Sequence, residues 1–208
     1  MNIKKLAYSV LTTSIIGIFA TPANATLVLT LNAGGTNVVT VTDTANTGSV
    51  SYFGQLGSWL FNITGGVSTK AGANAVTSLD LSSLNVSGGS GTLIITLTDN
   101  GFTSPSGIFS SISTQFGGVA GGTISLSSLL NGIAVSSFFA GSGPFSGANS
   151  ALGNTVGGFT LSQIATITHK VAGNTSFNII TSVPEPATLG LLGLGLIGLG
   201  FIKRRLAV

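Results

Sequence analysis

His169 is the only histidine in the chain, so it is the one side chain whose charge would change near neutral pH. Together with many serines and Asp43, Asp80 and Asp99 it raises the question of a Ser/His/Asp hydrolase. The chain has no GxSxG elbow, and His169 sits beside Lys170 at the polar end of a strand-like run. The expectation is a solvated strand-end histidine. Paired carboxylates for glycosidase chemistry would have to come from the same three aspartates. Asp43 and Asp99 each follow a Thr-x-Thr pair and precede a glycine-containing turn, where an aspartate serves local backbone hydrogen bonds. Residues 43–48 depart from a calcium-loop pattern at Ala45 and offer too few carboxylates. No catalytic residue, metal ligand or cofactor is therefore expected, and no enzyme.

Binding residues make a second set. Thr40/Thr42, Thr96/Thr98 and Thr166/Thr168 are Thr-x-Thr pairs. On a strand such residues share one face about 6.8 Å apart, so stacked pairs would form a flat hydroxyl array of the kind that orders water, similar to ice-binding sheets. The plainer reading is that threonine is a common solvent-side strand residue. Trp59, Tyr52 and Phe53 could stack on a sugar ring, although single aromatics in strands more often fill a core.

The elements that must position these residues have a period of two. Leu27, Leu29 and Leu31 alternate, as do Val39 and Val41, and the pattern returns around residues 60–63, 93–97, 108–112, 124–126, 133–139, 161–167 and 177–179. Gly34/Gly35, Gly65/Gly66, Gly88/Gly89, Gly117/Gly118, Gly121/Gly122, Asn131/Gly132 and Gly157/Gly158 punctuate the runs. Many short strands between such turns predict an all-β fold, a single antiparallel β-sandwich or jelly-roll-like domain. A phase slip after Ser82/Ser83, echoed after Ser127/Ser128, reads as a bulge in each strand. Residues 141–158, rich in Gly, Ser, Pro and Asn, read as a long loop.

The two ends differ from this middle. Lys4 and Lys5 precede 15 apolar-rich residues, 6–20, and Ala23 and Ala25 flank Asn24 in a small-x-small cleavage site. This predicts a signal helix over residues 1–25, handled by the Sec translocon and signal peptidase, with the mature chain starting at Thr26. At the other end Pro184, Glu185 and Pro186 precede a Leu/Gly-rich run of 16 residues, 187–202, and then Lys203, Arg204 and Arg205. As a helix that run is about 24 Å long against a hydrocarbon core of about 30 Å. The basic side chains can extend to the interface and hold that end in the cytoplasm. The two prolines stop the helix from continuing upstream. Gly193, Gly195 and Gly198 match GxGxxG, but no strand precedes them and they lie inside the apolar run, so no dinucleotide site is expected.

Residues 183–205 resemble a PEP-CTERM sorting tail, with the Pro-Glu-Pro motif, a following threonine, the apolar helix and the basic cluster in order. The resemblance implies a Gram-negative exported protein. Its tail would be a transmembrane helix in membrane lipid, cut by an exosortase-like membrane enzyme, and the product would go to the cell surface or matrix. Three domains follow: residues 1–25 as signal, 26–183 as the β domain and 184–208 as the tail.

Charge and composition bound the partners. Five of the seven basic residues lie in the terminal segments, so residues 26–183 hold two lysines against three aspartates, a formal balance of −1. Two lysines cannot track a phosphate backbone, which excludes nucleic acid as a partner. The absence of cysteine removes disulfides and thiolate chemistry. The sequence thus points to a non-catalytic exported surface or extracellular-matrix protein. The alternative is a carbohydrate-binding or ice-binding module, with extracellular polysaccharide as a partner.

Overall fold

The computed structural model describes residues 26–70, 76–103 and 110–184. The expected signal helix, its cleavage residues Ala23 and Ala25, and the tail from Glu185 through Arg205 lie outside the described residues. Among the described residues no helix is long and apolar enough to cross a membrane.

Among the described residues, twelve strands form two six-stranded antiparallel sheets. They are β1 (Val28–Asn32), β2 (Val38–Thr42), β3 (Ser49–Leu56), β4 (Trp59–Thr69), β5 (Thr77–Gly88), β6 (Gly91–Phe102), β7 (Ser110–Ala120), β8 (Thr123–Leu130), β9 (Ile133–Ala140), β10 (Gly143–Gly153), β11 (Phe159–His169) and β12 (Gly173–Val183). The first sheet has the order β2-β1-β6-β11-β8-β9 and the second β10-β7-β12-β5-β4-β3. The described residues therefore form an all-β sandwich, as the alternation predicts.

Period two explains the packing. In β11 every second residue from Phe159 to His169 is buried, and in β8 every second residue from Ile124 to Leu130. Leu29, Leu31, Ile95, Leu97 and Ile167 from the first sheet meet Phe61, Leu79, Leu81, Phe116 and Ile179 from the second in one continuous core. At about 1.5–3 kcal/mol for each fully buried aliphatic or aromatic side chain, this seam dominates the folding free energy.

The core also contains a polar bridge. Gln163 of β11 donates from Nε2 to the Leu79 carbonyl at 2.8 Å and to Thr181 Oγ1 at 2.9 Å. The Thr181 hydroxyl lies 2.6 Å from Ser128 Oγ of β8 and 3.4 Å from Thr114 Oγ1 of β7. All four polar residues are buried, so the two sheets are joined by hydrogen bonds inside an apolar interior.

Four connections, β5 to β6, β7 to β8, β9 to β10 and β11 to β12, cross between the sheets at one end of the sandwich, where Gly88 pairs with Gly173 and Gly91 with His169. Glycine is needed there for close approach. A Cβ on Gly88 would lie 2.8 Å from the Trp59 ring, and one on Gly122 would strike the Thr168 carbonyl. Thr26 and Pro184 lie at the other end, since Val28 pairs with Thr98 near the end of β6 and Val183 pairs with Thr77 at the start of β5.

Two sequence expectations change. Residues 141–158 are not a long loop: β10 pairs with β7 over eleven residues. Edge strands need little apolar surface, and Phe145 supplies it by packing 5.7 Å from Phe138. The phase slip in β5 is a true bulge, with Asn85 at φ 56 and the register against β12 shifting between Thr175 and Phe177. In β8 the alternation instead runs straight through the buried Ser128, and the irregularity lies in its pairing with β9.

Replacing Gln163 with Leu keeps the volume but removes both hydrogen bonds that its amide makes across the core. This should lower the unfolding free energy by about 1–3 kcal/mol, read from urea denaturation with the slope unchanged.

Candidate functional site

The candidate catalytic groups do not converge. His169 is buried at the crossing end of the sandwich, not solvated as its place beside Lys170 suggested. The strand continues its inward phase to its last residue, which carries the ring under Trp59 with centroids 4.9 Å apart. Its Nε2 lies 2.9 Å from Thr175 Oγ1, which also accepts from the Gly121 amide at 3.0 Å. The hydroxyl can donate to Nε2 or accept from it, and the buried Nδ1 makes no hydrogen bond among the described residues. Burial pushes the imidazole below its ordinary range, and the Gly88 carbonyl acts weakly in the opposite sense.

Asp99 pairs with Leu161, eight residues before His169 along β11, or about 27 Å away along the strand. It does not serve a turn: it is buried in β6, with Lys70 Nζ 3.2 Å from its carboxylate and the ammonium 5.8 Å from the Phe102 ring centroid. The phase that buries Leu93, Ile95 and Leu97 also turns Asp99 inward. Asp43 does perform the turn duty expected of it. It accepts from the Thr47 amide at 3.0 Å and the Gly48 amide at 2.7 Å, and these bonds, the Thr47 amide foremost, hold its carboxyl below the ordinary range. Asp80 stands half-buried on the outer face of the second sheet, between Val67 and Ile180, and desolvation pushes its carboxyl up. Among the described residues no cluster of three His, Cys, Asp or Glu side chains is positioned to hold a metal ion.

The hydroxyl residues do converge. All three Thr-x-Thr pairs lie on the outer face of the first sheet. Thr40, Thr30 and Thr96 stand abreast across β2, β1 and β6, and Thr92, Thr168 and Thr123 stand abreast across β6, β11 and β8. Thr92 and Thr168 hydroxyls are 3.1 Å apart, and Thr98 donates to Ser162 Oγ at 3.0 Å. Val28, Ile94 and Ile164 interleave with them, giving a face of hydroxyl and methyl groups spaced about 4.8 Å across strands and 6.8 Å along them. The sequence showed the pairs but not Thr30, whose single threonine had no partner until β1 took its place between β2 and β6.

The aromatic residues named for sugar stacking do not form a platform. Trp59 is buried against His169, and Tyr52 packs edge-on against Phe61 with its hydroxyl donating to the Gln55 carbonyl at 2.9 Å. Phe53 is exposed on the edge strand β3.

Of the proposed sorting residues the structure describes Pro184, exposed directly after β12. A family model described as the PEP-CTERM protein-sorting motif matches residues 182–205. Those residues carry a PEP-CTERM sorting motif. The sorting motif thus begins on the last residues of β12, and it implies export by the secretion machinery and processing by an exosortase-like enzyme. No curated protein matches the chain in sequence.

Among solved structures, the chain is similar to a carbohydrate-binding module, CBM36, in complex with calcium and xylotriose: 14% identity, 63% of this chain and 96% of the other, TM-score 0.28. It is also similar to the CBM36-1 domain of a multidomain xylanase from the hindgut metagenome of Trinervitermes trinervoides, at 16% identity, 54% and 89% coverage and TM-score 0.27. A third is CBM35 from Paenibacillus barcinonensis, at 14% identity, 65% and 92% coverage and TM-score 0.24. Overlaps this loose carry no inference about a ligand.

The buried histidine sets a pH dependence. The unfolded chain protonates His169 near the ordinary value of 6.5, whereas the folded chain does so only at lower pH. Its contribution to stability is therefore complete above that value and is lost as pH falls below it. Unfolding free energy should drop between pH 7 and pH 5, and the drop should be shallower in His169→Gln, as measured by denaturant titration at each pH.

Proposed function

We propose that this is a non-catalytic surface or extracellular-matrix protein of a Gram-negative bacterium, exported through the Sec route and anchored briefly by its tail. The signal is removed after Ala25, and the β domain folds outside the inner membrane. An exosortase-like enzyme then cuts at the neck formed by Pro184, Glu185 and Pro186, while Lys203, Arg204 and Arg205 hold the tail end inside. The observation that carries this reading is the sorting motif running straight on from β12 into an exposed Pro184. A proline-bounded segment stays extended, the form in which a protease takes its substrate. The separation of His169 from Asp99, and the turn role of Asp43, support a role without catalysis.

A second reading, a binding module for ice, is favoured by the hydroxyl and methyl lattice on the first sheet. Threonine methyls and hydroxyls at regular spacing can order water in two dimensions without any charge. Such binding depends on flatness, so a long side chain in the centre of the array would abolish it. Thr96→Lys should remove any effect of the protein on ice growth seen by microscopy, with the circular dichroism spectrum unchanged. An equal effect in the variant would sink the reading.

For the sorting reading the decisive measurement is intact mass in envelope and medium fractions. The released form should begin at Thr26 and lack Arg205. Changing Pro184, Glu185 and Pro186 together to Ala should leave the tail attached and the protein in the membrane fraction. Unchanged release would count against the motif as the signal.

A further inference from the structure

The outer face of the second sheet carries a depression of about 320 Å³, lined by Ser82, Gly117, Gly118, Val119, Ser176 and Asn178. We propose that it is a subsite for one ring of a neutral polysaccharide. The inference rests on the matrix-facing placement above for its natural ligand, and on the geometry of β5, β7 and β12 for the site.

Gly117 makes the hollow. It stands in register between Ser146 of β10 and Asn178 of β12, and Asn178 in turn faces Ser82 of β5. A Cβ at Gly117 would meet nothing nearer than the Phe145 carbonyl at 3.9 Å, and the residue does not have a left-handed φ. The fold therefore does not need glycine at this position. The neighbouring Gly118 is different, because its Cβ would strike the Ser176 carbonyl. Gly118 is there for packing, whereas Gly117 leaves open space above the sheet.

The walls fit a sugar ring. The floor is largely carbon, from the two glycines and the exposed Val119, and it matches the C–H face of a pyranose. The rim is amide and hydroxyl. Asn178 is exposed and its side chain makes no hydrogen bond among the described residues, so two donors and an acceptor are available. Ser176 is fixed in advance by the β5 bulge: its Oγ accepts from the Asn85 amide at 2.9 Å, and its hydroxyl donates to Asn85 Oδ1 at 3.2 Å. Asn174 donates to the same Oδ1 at 3.2 Å, which locks the cluster. No charged residue lines the depression, so an ionic ligand would be desolvated there without a counter-charge. The volume is at the low end for small-molecule sites and the depression is open, which suits an interior ring of a chain lying across the sheet.

The test uses the full chain in detergent, with biolayer interferometry on immobilised neutral polymers (glucan, mannan, xylan and galactan) and on acidic alginate. The wild type should bind at least one neutral polymer. Gly117→Leu, which fills the hollow, and Asn178→Ala, which removes the rim amide, should each weaken that binding by about tenfold or more, with the thermal midpoint unchanged. Alginate binding through the basic tail should be the same in all three proteins. Failure to bind any neutral polymer, binding untouched by both substitutions, or loss of alginate binding in the variants would each overturn the proposal. Sorting is read separately, in tail mass and location, so either reading can fail while the other stands.

Discussion

Thr181 sits where the two sheets would otherwise share nothing but hydrocarbon, and its hydroxyl gathers Gln163, Ser128 and Thr114 from three other strands. Apolar contacts tolerate sliding, but this cluster does not. Moving β12 by one residue would turn Thr181 to solvent, leave Gln163 without its partner and bring Ser182 into the core. The cluster thus fixes which residues of β7, β8, β11 and β12 face inward. From that phase follow the outward Thr96, Thr98, Thr166 and Thr168 on one sheet and the outward Asn178 and Gly117 on the other. Both candidate binding faces are consequences of a register set inside the core.

The alternation of apolar and polar residues made the sandwich legible in the sequence, because strand faces obey a period of two regardless of partner. It made individual burial less legible. Asp99, Ser128 and His169 are polar residues at inward positions, and composition suggests solvent for each. The structure resolves each case with a specific partner: Lys70, Thr181 and Thr175. Residues 141–158 read as a loop for a related reason. An edge strand paired on one side needs few large residues, so β10 has the composition of a loop and the hydrogen bonds of a strand.

The candidate surfaces divide the same way. The Thr-x-Thr pairs are visible as spacing, but their meeting on one face depends on β1 lying between β2 and β6, a matter of sheet order. The hollow at Gly117 has no sequence signal at all. Gly117 and Gly118 look alike in the chain, and only the pairing with β10 and β12 separates a glycine required by backbone packing from one that leaves space. The sorting motif is the opposite case, since its order of residue types is itself the signal and needs no tertiary context.

The exit of the chain through β12 has a mechanical meaning. This strand lies inside the second sheet, hydrogen-bonded to β5 on one side and β7 on the other along most of its length. Whatever is fastened to Pro184 pulls along the strand axis, perpendicular to those bonds, so both ladders are loaded in shear and must yield together. An edge strand would instead peel away one bond at a time. Attachment through an interior strand makes the domain resistant to drag at the very point where a covalent tether would transmit it.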